Sequence, residues 1–231
     1  MTQGRQPVRG RDMRVSEYAV RRLSLYHRIL RDLEVRGQDV VSSDDLARWG
    51  RTNAAQVRKD LSYFGSFGKR GRGYDVPVLR SQIQEILGLH RRWRVVIVGA
   101  GRLGSALASY QDFPRLGFEI VAMLDNSPSC IGKTVGGLRV RPVGEMADVV
   151  KSGGINLGIV AVPADAAQDV VDMLAGAGVR GILNFAPKKV NVPEDVGLRH
   201  VDISIELEGL TFDITSGLLG SNGRQRAPEE P

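Results

Sequence analysis

Four β-branched apolar residues lead directly into a glycine-rich turn at residues 95–104, which read Val-Val-Ile-Val-Gly-Ala-Gly-Arg-Leu-Gly. The pattern predicts a buried strand that turns into a helix through Gly-x-Gly-x-x-Gly, the turn that binds a dinucleotide pyrophosphate. Gly99 permits the tight turn, Gly101 lets backbone approach a phosphate, and Gly104 lets the helix pack on the strand. The helix N-terminus adds unpaired N–H groups and the positive end of its dipole.

An acidic residue in the expected place supports this prediction over a glycine turn in another α/β fold. Residues 119–125 read as a second buried strand, and Asp125 at its end lies 24 residues after Gly101. A carboxylate there binds the adenosine ribose hydroxyls of NAD and disfavours the 2′-phosphate of NADP. Strands at 154–163 and 181–185 alternate with helices, which predicts a parallel sheet. The predicted cofactor-binding residues are Gly99, Ala100, Gly101, Arg102, Leu103, Gly104, Asp125, Val162, Pro163, Asn184 and Phe185.

Positive charge is concentrated in the first part of the chain. Residues 1–94 carry 20 Lys and Arg against 10 Asp and Glu, whereas residues 95–231 carry 12 against 16. This asymmetry indicates a polyanionic partner for the first part, most simply nucleic acid. No apolar run approaches the roughly 18 residues of a membrane span. The single cysteine, Cys130, fits a reducing cytoplasm.

Two short helices joined by a tight turn at residues 50–52 are predicted within the basic part. Ser42 or Ser43 caps the first helix and Asn53 caps the second. This pattern is typical of a helix-turn-helix, and an ordinary solvated helical hairpin is the alternative. The second helix presents side chains that contact phosphates and base edges, namely Gln56, Arg58, Lys59, Ser62 and Tyr63.

A basic hairpin is predicted directly after this pair of helices. Residues 65–74 alternate glycines with Lys69, Arg70 and Arg72. Such a hairpin is typical of the wing of a winged helix-turn-helix, which lies along the DNA backbone or enters the minor groove. A solvated basic loop is the alternative.

The carboxyl-terminal part departs from a plain dinucleotide domain. Residues 202–213 read as a last strand running into an amphipathic helix, which packs on its own domain or crosses to a partner chain. The predicted organisation is a flexible arm (1–14), a winged-helix domain (15–92), a Rossmann-like dinucleotide domain (93–202), a terminal helix (203–215) and a disordered tail (216–231).

Nothing in the sequence predicts a catalytic or metal site. His27, His90 and His200 are scattered, and no metal-ligand spacing or nucleophile elbow is present. No substrate domain is recognisable after the dinucleotide domain. We therefore expect a transcription factor that has the dinucleotide as its ligand. The alternatives are an NAD-dependent oxidoreductase with a basic extension and a regulator that senses another nucleotide, such as coenzyme A.

The chain resembles the Rex family, the redox-sensing repressors of bacteria, over nearly all of residues 15–215. The resemblance is carried by Gln-Val-Arg-Lys-Asp-Leu-Ser-Tyr-Phe-Gly at 56–65, the wing through Tyr74, the glycine loop, and Gly-Ile-Leu-Asn-Phe-Ala-Pro at 181–187. It implies a homodimer. The dimer would bind palindromic operator DNA when free or bound to NAD+ and release the DNA on binding NADH.

The resemblance also implies a switch at the end of the dinucleotide domain. The helix at 203–215 would be exchanged between subunits, and Asp202 would be partnered by Tyr110 in one state and by Arg28 in the other. Ile203 stands where some relatives have an aromatic residue near the nicotinamide. The residue that contacts the nicotinamide is therefore left open.

Overall fold

The computed structural model of this chain divides into two compact units between Arg91 and Arg92. It describes residues 15–65, 67 and 72–217. The predicted arm at 1–14, the wing residues Lys69 and Arg70, and the predicted tail beyond residue 217 lie outside the described residues.

The amino-terminal unit is mainly helical and contains a small antiparallel sheet formed by its two strands. The second of these strands closes the segment in which the sequence predicts a wing. The elements, in chain order, are α1 (Glu17–Val35), β1 (Val40–Val41), α2 (Ser43–Trp49), α3 (Ala54–Ser62), β2 (Tyr74–Asp75) and α4 (Val76–Ile86).

Side-chain caps begin these helices where the sequence places serine and asparagine. Ser16 caps α1, Ser42 caps α2, and Asn53 caps α3 by accepting a hydrogen bond from the Gln56 backbone N–H at 2.8 Å. Each cap satisfies a backbone donor that the first helical turn leaves unpaired. Of the two serines considered for α2, Ser42 is the cap and Ser43 is the first helical residue.

A buried apolar stripe on α1 joins the helices of this unit into one core. Leu23 and Leu30 of α1 are fully buried and belong to one cluster with Val57 and Leu61 of α3. Fully burying a Leu or Val side chain contributes about 1.5–3 kcal/mol. These contacts hold the inner face of α3 against α1 and leave its outer face to solvent.

The carboxyl-terminal unit contains a seven-stranded sheet in the order β5-β6-β4-β3-β7-β8-β9. All neighbouring strands pair in parallel except β5 and β6. The predicted Rossmann-like α/β fold is confirmed. Its elements are β3 (Trp93–Val98), α5 (Arg102–Ala108), α6 (Asp112–Arg115), β4 (Phe118–Asp125), β5 (Thr134–Val135), β6 (Leu138–Pro142), α7 (Met146–Gly153), β7 (Leu157–Val160), α8 (Ala167–Gly176), β8 (Gly181–Asn184), β9 (Gly197–His200) and α9 (Ile203–Thr215).

The direction in which the chain adds strands reverses beside β3. Strands β4 and β6 lie on one side of β3, and β7, β8 and β9 lie on the other. The connections that leave the neighbouring strands β3 and β7 therefore run in opposite directions and open a crevice beyond their carboxyl ends. The loop after β3 is the glycine loop.

The helix that follows the glycine loop, α5, ends at Ala108, so Tyr110 lies beyond it. Gly136, in the turn between β5 and β6, approaches this end closely. A methyl group on Gly136 would lie 2.6 Å from the Ala108 carbonyl oxygen. The β5–β6 hairpin is therefore packed closely against the end of α5.

The predicted strand near residue 202 is wrong. The last strand is β9, and Asp202 already caps α9, which is helical from Ile203. Apolar residues at alternate positions suggested a strand, but in the helix they fall on two opposite faces, so α9 is not amphipathic. Every large apolar side chain of α9 is at least 55% exposed: Ile203, Ile205, Leu207, Leu210, Phe212 and Ile214.

Gly104 and Gly101 offer a matched test of the packing in the glycine loop. A methyl group on Gly104 would overlap the Gly99 carbonyl oxygen, whereas one on Gly101 would have no atom within 4 Å. We expect Gly104→Ala to lower the free energy of unfolding by about 3 kcal/mol and Gly101→Ala to change it by less than about 1 kcal/mol. Urea unfolding followed by circular dichroism measures both values, and equal losses would contradict the packing role of Gly104.

Candidate dinucleotide crevice and nucleic-acid interface

The glycine loop lies across the carboxyl ends of neighbouring strands. The Gly99 N–H donates to the Leu124 carbonyl oxygen at 2.8 Å, and the Ala161 N–H donates to the Val98 carbonyl oxygen at 2.8 Å. Gly99 has a φ of 106°, and a methyl group on it would overlap the Ala161 carbonyl. Only glycine combines this conformation with this close approach. The glycine loop therefore packs directly against the carboxyl ends of the strands and leaves the space beyond them open.

Asp125, at the end of β4, reaches back to the glycine loop. Its Oδ2 accepts a hydrogen bond from the Ala100 N–H at 2.6 Å, and its Oδ1 accepts one from the Ser127 N–H at 2.7 Å. A carboxylate oxygen can accept more than one hydrogen bond, so both oxygens keep capacity for hydroxyl donors. The structure thus brings Asp125 and the glycine loop together at one edge of the sheet.

Asn184 is fully buried, and its side-chain amide is used within the protein. Its Oδ1 accepts a hydrogen bond from the Ala186 N–H at 3.0 Å, and its Nδ2 donates to the Lys188 carbonyl oxygen at 3.0 Å. The same Nδ2 lies 3.1 Å from His200 Nδ1. An amide whose hydrogens are already bonded has none to offer a ligand. The Asn184 side chain therefore shapes the loop after β8, and cofactor binding at Asn184 stays a prediction.

The other predicted cofactor residues differ in how far they are exposed. Gly99 and Gly104 are buried and serve the packing of the loop. The half-buried residues are Ala100, Asp125, Val162 and Phe185, and the exposed residues are Gly101, Arg102, Leu103 and Pro163. The open edge therefore combines backbone N–H groups at the start of α5 with apolar side chains after β7 and β8.

An apolar hollow of about 540 Å³ lies on the face of the sheet opposite α7 and α8. Its lining includes Phe118, Ile120, Leu157 and Leu183, and no residue of the glycine loop. Together with α9, the hollow gives this unit two uncovered apolar surfaces.

The outer face of α3 is polar and exposed. Arg58, Lys59, Ser62 and Tyr63 are all exposed, as is Arg72 in the described part of the predicted wing. The Arg58 Nη1 donates to the Ser43 Oγ at 2.8 Å, which ties the guanidinium to the first turn of α2. The Ser62 hydroxyl donates back to the Lys59 carbonyl at 2.7 Å. The helix-turn-helix therefore presents a cationic face that is partly preorganised.

Asp60, on the inner side of α3, is a residue that sequence reasoning missed. Its carboxylate is fully buried and accepts hydrogen bonds from Arg22 Nε at 2.6 Å and Nη2 at 2.7 Å. Gln56 Nε2 donates to it at 2.7 Å, and the Tyr26 hydroxyl donates at 3.1 Å. Gln56, for which the sequence predicts DNA contact, is half-buried and donates inward to Asp60, and its DNA contact stays a prediction. The signal was present, because residue 60 shares the helical face of Val57.

The hydrogen bonds to Asp60 outweigh the effect of its burial on its charge. Burial alone would raise the pKa of the Asp60 carboxyl, but hydrogen bonds from Arg22, Gln56 and Tyr26 lower that pKa below its ordinary value of 3.8. The carboxylate form is therefore the one that the fold binds.

The three expected switch residues are exposed and lie in different units. Arg28 belongs to the amino-terminal unit, whereas Tyr110 and Asp202 belong to the carboxyl-terminal unit. The Tyr110 ring meets the Phe113 ring edge-on, with centroids 4.9 Å apart. Asp202 accepts hydrogen bonds from the Ser204 hydroxyl at 2.6 Å and the Ser204 N–H at 3.0 Å, and these bonds lower the pKa of Asp202.

No group of three or more His, Cys, Asp or Glu side chains within the described residues is arranged to hold a metal ion. In the same part of the chain, no helix combines the length and the apolar character that crossing a membrane requires.

Two family models match the chain, one in each unit. The model described as "CoA binding domain" matches residues 90–188, and the model described as "Putative DNA-binding protein N-terminus" matches residues 14–62. With the fold, these matches define the class of protein, which joins a helix-turn-helix unit to a Rossmann-like unit.

Curated relatives assign the chain to a particular family within this class. The redox-sensing transcriptional repressor Rex of Carboxydothermus hydrogenoformans is 48% identical over 201 residues, which cover 87% of this chain and 97% of the relative. The repressor Rex of Desulforamulus reducens is 46% identical over 202 residues, covering 87% and 96%. The chain belongs to the Rex family of redox-sensing transcriptional repressors.

Solved structures show the same similarity. The structure of RSP in complex with beta-NAD+ and operator DNA matches with a TM-score of 0.83 and 34% identity, covering 93% of this chain and 100% of that chain. The structure of RSP with beta-NADH matches with a TM-score of 0.81 and 33% identity, covering 92% and 100%. RSP is described as a Rex-family repressor.

The buried carboxylate predicts how stability depends on pH. We expect Asp60→Asn to lower the free energy of unfolding by about 3 kcal/mol near pH 7, because it breaks a buried ion pair. The folded-state pKa of Asp60 lies below its ordinary value of 3.8. The wild-type advantage is therefore complete above about pH 5 and shrinks as the pH falls through the folded-state pKa. Urea unfolding of both proteins across this range measures the difference, and a difference that grows in acid would contradict the assignment.

Proposed function

We propose that the protein is a transcriptional repressor that senses the ratio of NADH to NAD+. It binds palindromic operator DNA when free or bound to NAD+, and it releases the operator when it binds NADH. The proposal makes the protein cytoplasmic and non-catalytic, because it acts on the chromosome and consumes neither ligand.

One observation carries the proposal: a single chain joins a glycine loop at the strand-order reversal of a parallel sheet to a helix-turn-helix with a cationic outer face. The first site suits a dinucleotide and the second suits DNA. The descriptions of the RSP structures, which name NAD+ with operator DNA and NADH, support both assignments.

The crevice offers a physical basis for preferring NADH. Ala161, Val162, Pro163 and Phe185 place apolar groups after β7 and β8. A neutral dihydronicotinamide enters such surroundings at little cost, whereas the cationic ring of NAD+ loses hydration. Because cellular NAD+ usually exceeds NADH, a sensor needs this discrimination. In the proposal, the pyrophosphate lies at the start of α5 and Asp125 binds the adenosine ribose.

The response to NADH requires two arrangements that differ in DNA affinity. NADH favours the arrangement that does not bind the operator, and by reciprocity the operator weakens NADH binding. We assign the switching contact to Asp202, partnered by Tyr110 in one state and by Arg28 in the other. The exposure of all three side chains in this structure leaves them available for such contacts.

A palindromic operator calls for a two-fold symmetric protein. The proposed homodimer exchanges α9 between subunits, and both of its apolar faces would then be covered. The exposed Ile205, Leu207 and Phe212 support this assignment, as does the uncovered apolar face of the sheet.

A gel shift with separate titrations of the ligands tests the proposed function. The probe is a duplex that the protein selects from a random-sequence pool. We expect NADH to release the duplex and NAD+ at the same concentration to leave it bound, because the sensor must discriminate between them. Release by neither ligand, or equally by both, would contradict the proposal.

Two further arms of this experiment address the alternatives. Release by coenzyme A alone would favour a sensor of that nucleotide, which the family description "CoA binding domain" makes a specific alternative. Oxidation of NADH, followed by absorbance in the presence of candidate carbonyl substrates, would instead favour an oxidoreductase.

In the proposal, Asp125 strengthens the binding of NADH and disfavours the binding of NADPH. We expect Asp125→Asn to weaken NADH binding about tenfold, because it removes a charged acceptor for the ribose hydroxyls, and to narrow the gap between NADH and NADPH. An asparagine can still accept the Ala100 N–H, so the loop is retained. Isothermal titration measures these affinities, and Asp169→Ala, an exposed position on α8, is the control. Unchanged NADH affinity in Asp125→Asn would contradict the ribose assignment.

A further inference from the structure

Asp60 is the only fully buried charged side chain in the described part of the chain. It faces α1, on the side of α3 opposite to the proposed DNA contacts. A buried ion pair adds little net stability over apolar residues of similar volume. Stability alone therefore gives a poor account of a carboxylate at the centre of this helix.

The contacts of Asp60 join one turn of α3 to one turn of α1. Arg22 meets the carboxylate with two nitrogens, at 2.6 and 2.7 Å, and Tyr26, four residues later on α1, donates its hydroxyl at 3.1 Å. Gln56, four residues earlier on α3, completes the set at 2.7 Å. Three side chains thus hold one carboxylate from two directions.

Tyr26 also contacts the turn between α2 and α3. A methyl group on Gly50 would lie 3.1 Å from Tyr26 Cε1 and 2.8 Å from the Leu46 carbonyl oxygen. The ring of Tyr26 is therefore packed against the turn while its hydroxyl bonds to Asp60. One face of α1 fixes both the turn and the helix that follows it.

Directional bonds constrain the rotation of α3 in a way that apolar contacts cannot. The contacts of Val57 and Leu61 favour burial but tolerate sliding and rolling, whereas a bidentate guanidinium–carboxylate pair selects one geometry. A helix with its side chains has a radius of about 5–6 Å, so a rotation of about 10° moves an outer side chain by roughly 1 Å. This displacement exceeds the spread of good hydrogen-bond distances. Attraction to phosphates acts over about 8–10 Å and is hardly affected.

We propose that Asp60 is a positioning residue for operator recognition, which fixes the rotation of α3 through Arg22 and Tyr26. The inference rests on the proposed function, because it concerns sequence-specific DNA binding. It also assigns Gln56 to the support of α3 rather than to base contacts. We call Asp60, Arg22, Tyr26 and Gln56 the Asp60 cluster. A substitution that weakens its hydrogen bonds then lowers the affinity for the operator and leaves the affinity for non-specific DNA nearly unchanged.

The test compares two substitutions in the cluster with a matched control on the same helix. Arg22→Lys keeps the charge but loses the two-nitrogen contact, and Asp60→Asn loses the acceptor charge. Arg21→Lys makes the same chemical change at a side chain that is 64% exposed and paired with Glu17. Fluorescence anisotropy of the full-length proteins measures binding to the selected duplex and to a shuffled duplex of equal length and composition. Circular dichroism first establishes a temperature at which each variant is folded.

We expect Arg22→Lys and Asp60→Asn to bind the selected duplex about tenfold more weakly, the scale of one lost base contact. Affinity for the shuffled duplex changes by less than about twofold, because it depends on phosphate attraction. Arg21→Lys leaves both affinities unchanged. Where Asp60→Asn does not fold, Arg22→Lys carries the test.

Two results would overturn the inference. Equal losses on both duplexes would show a purely structural role, and wild-type discrimination in the folded variants would show that the cluster does not set specificity. Failure of the proposed function is distinguishable, because the wild-type protein would then select no duplex from the random pool.

Discussion

The approach of the Gly99 backbone to the end of β7 is the constraint on which the crevice depends. A side chain at that position would overlap the Ala161 carbonyl, and the φ of 106° is unfavourable for any residue with a Cβ atom. Glycine therefore lets the loop pack closely against the carboxyl ends of β3 and β7, where the strand order reverses. The Ala100 N–H then points at Asp125, and the start of α5 faces the open edge. Backbone geometry sets this site before any ligand-specific side chain contributes.

Local patterns in the sequence were enough to predict most of the architecture. A strand followed by Gly-x-Gly-x-x-Gly, an acid at the end of the next strand, and a cap at Asn53 are local patterns, so they can be found without knowing the fold. Tertiary contacts decided the rest. The close packing at the end of α5 depends on the β5–β6 hairpin, and the inward bonding of Asn184 depends on the loop that follows β8. In the proposed dimer both faces of α9 are covered, so its sequence lacks the one-sided apolar pattern of an amphipathic helix. The apolar residues after Asp202 therefore alternate and suggested a strand.

Among the described residues, two polar side chains are fully buried, Asp60 and Asn184. They share a physical role. The sequence predicted cofactor binding for Asn184 and singled out no role for Asp60. In the structure each gathers donors or acceptors from neighbouring segments and so fixes a loop or helix beside a proposed binding surface. Buried polar groups must be satisfied by specific partners, which makes them better markers of orientation than apolar neighbours.

The apolar character of α9 has a consequence for how the protein reaches its folded state. A helix with two exposed apolar faces gains nothing from its own chain, so in the proposed homodimer its burial waits on a second molecule. Folding stability then depends on protein concentration. Newly synthesised chains expose the apolar surface of α9 until they dimerise. In such a repressor, both folding and binding to a palindromic operator are incomplete below a threshold concentration of the protein.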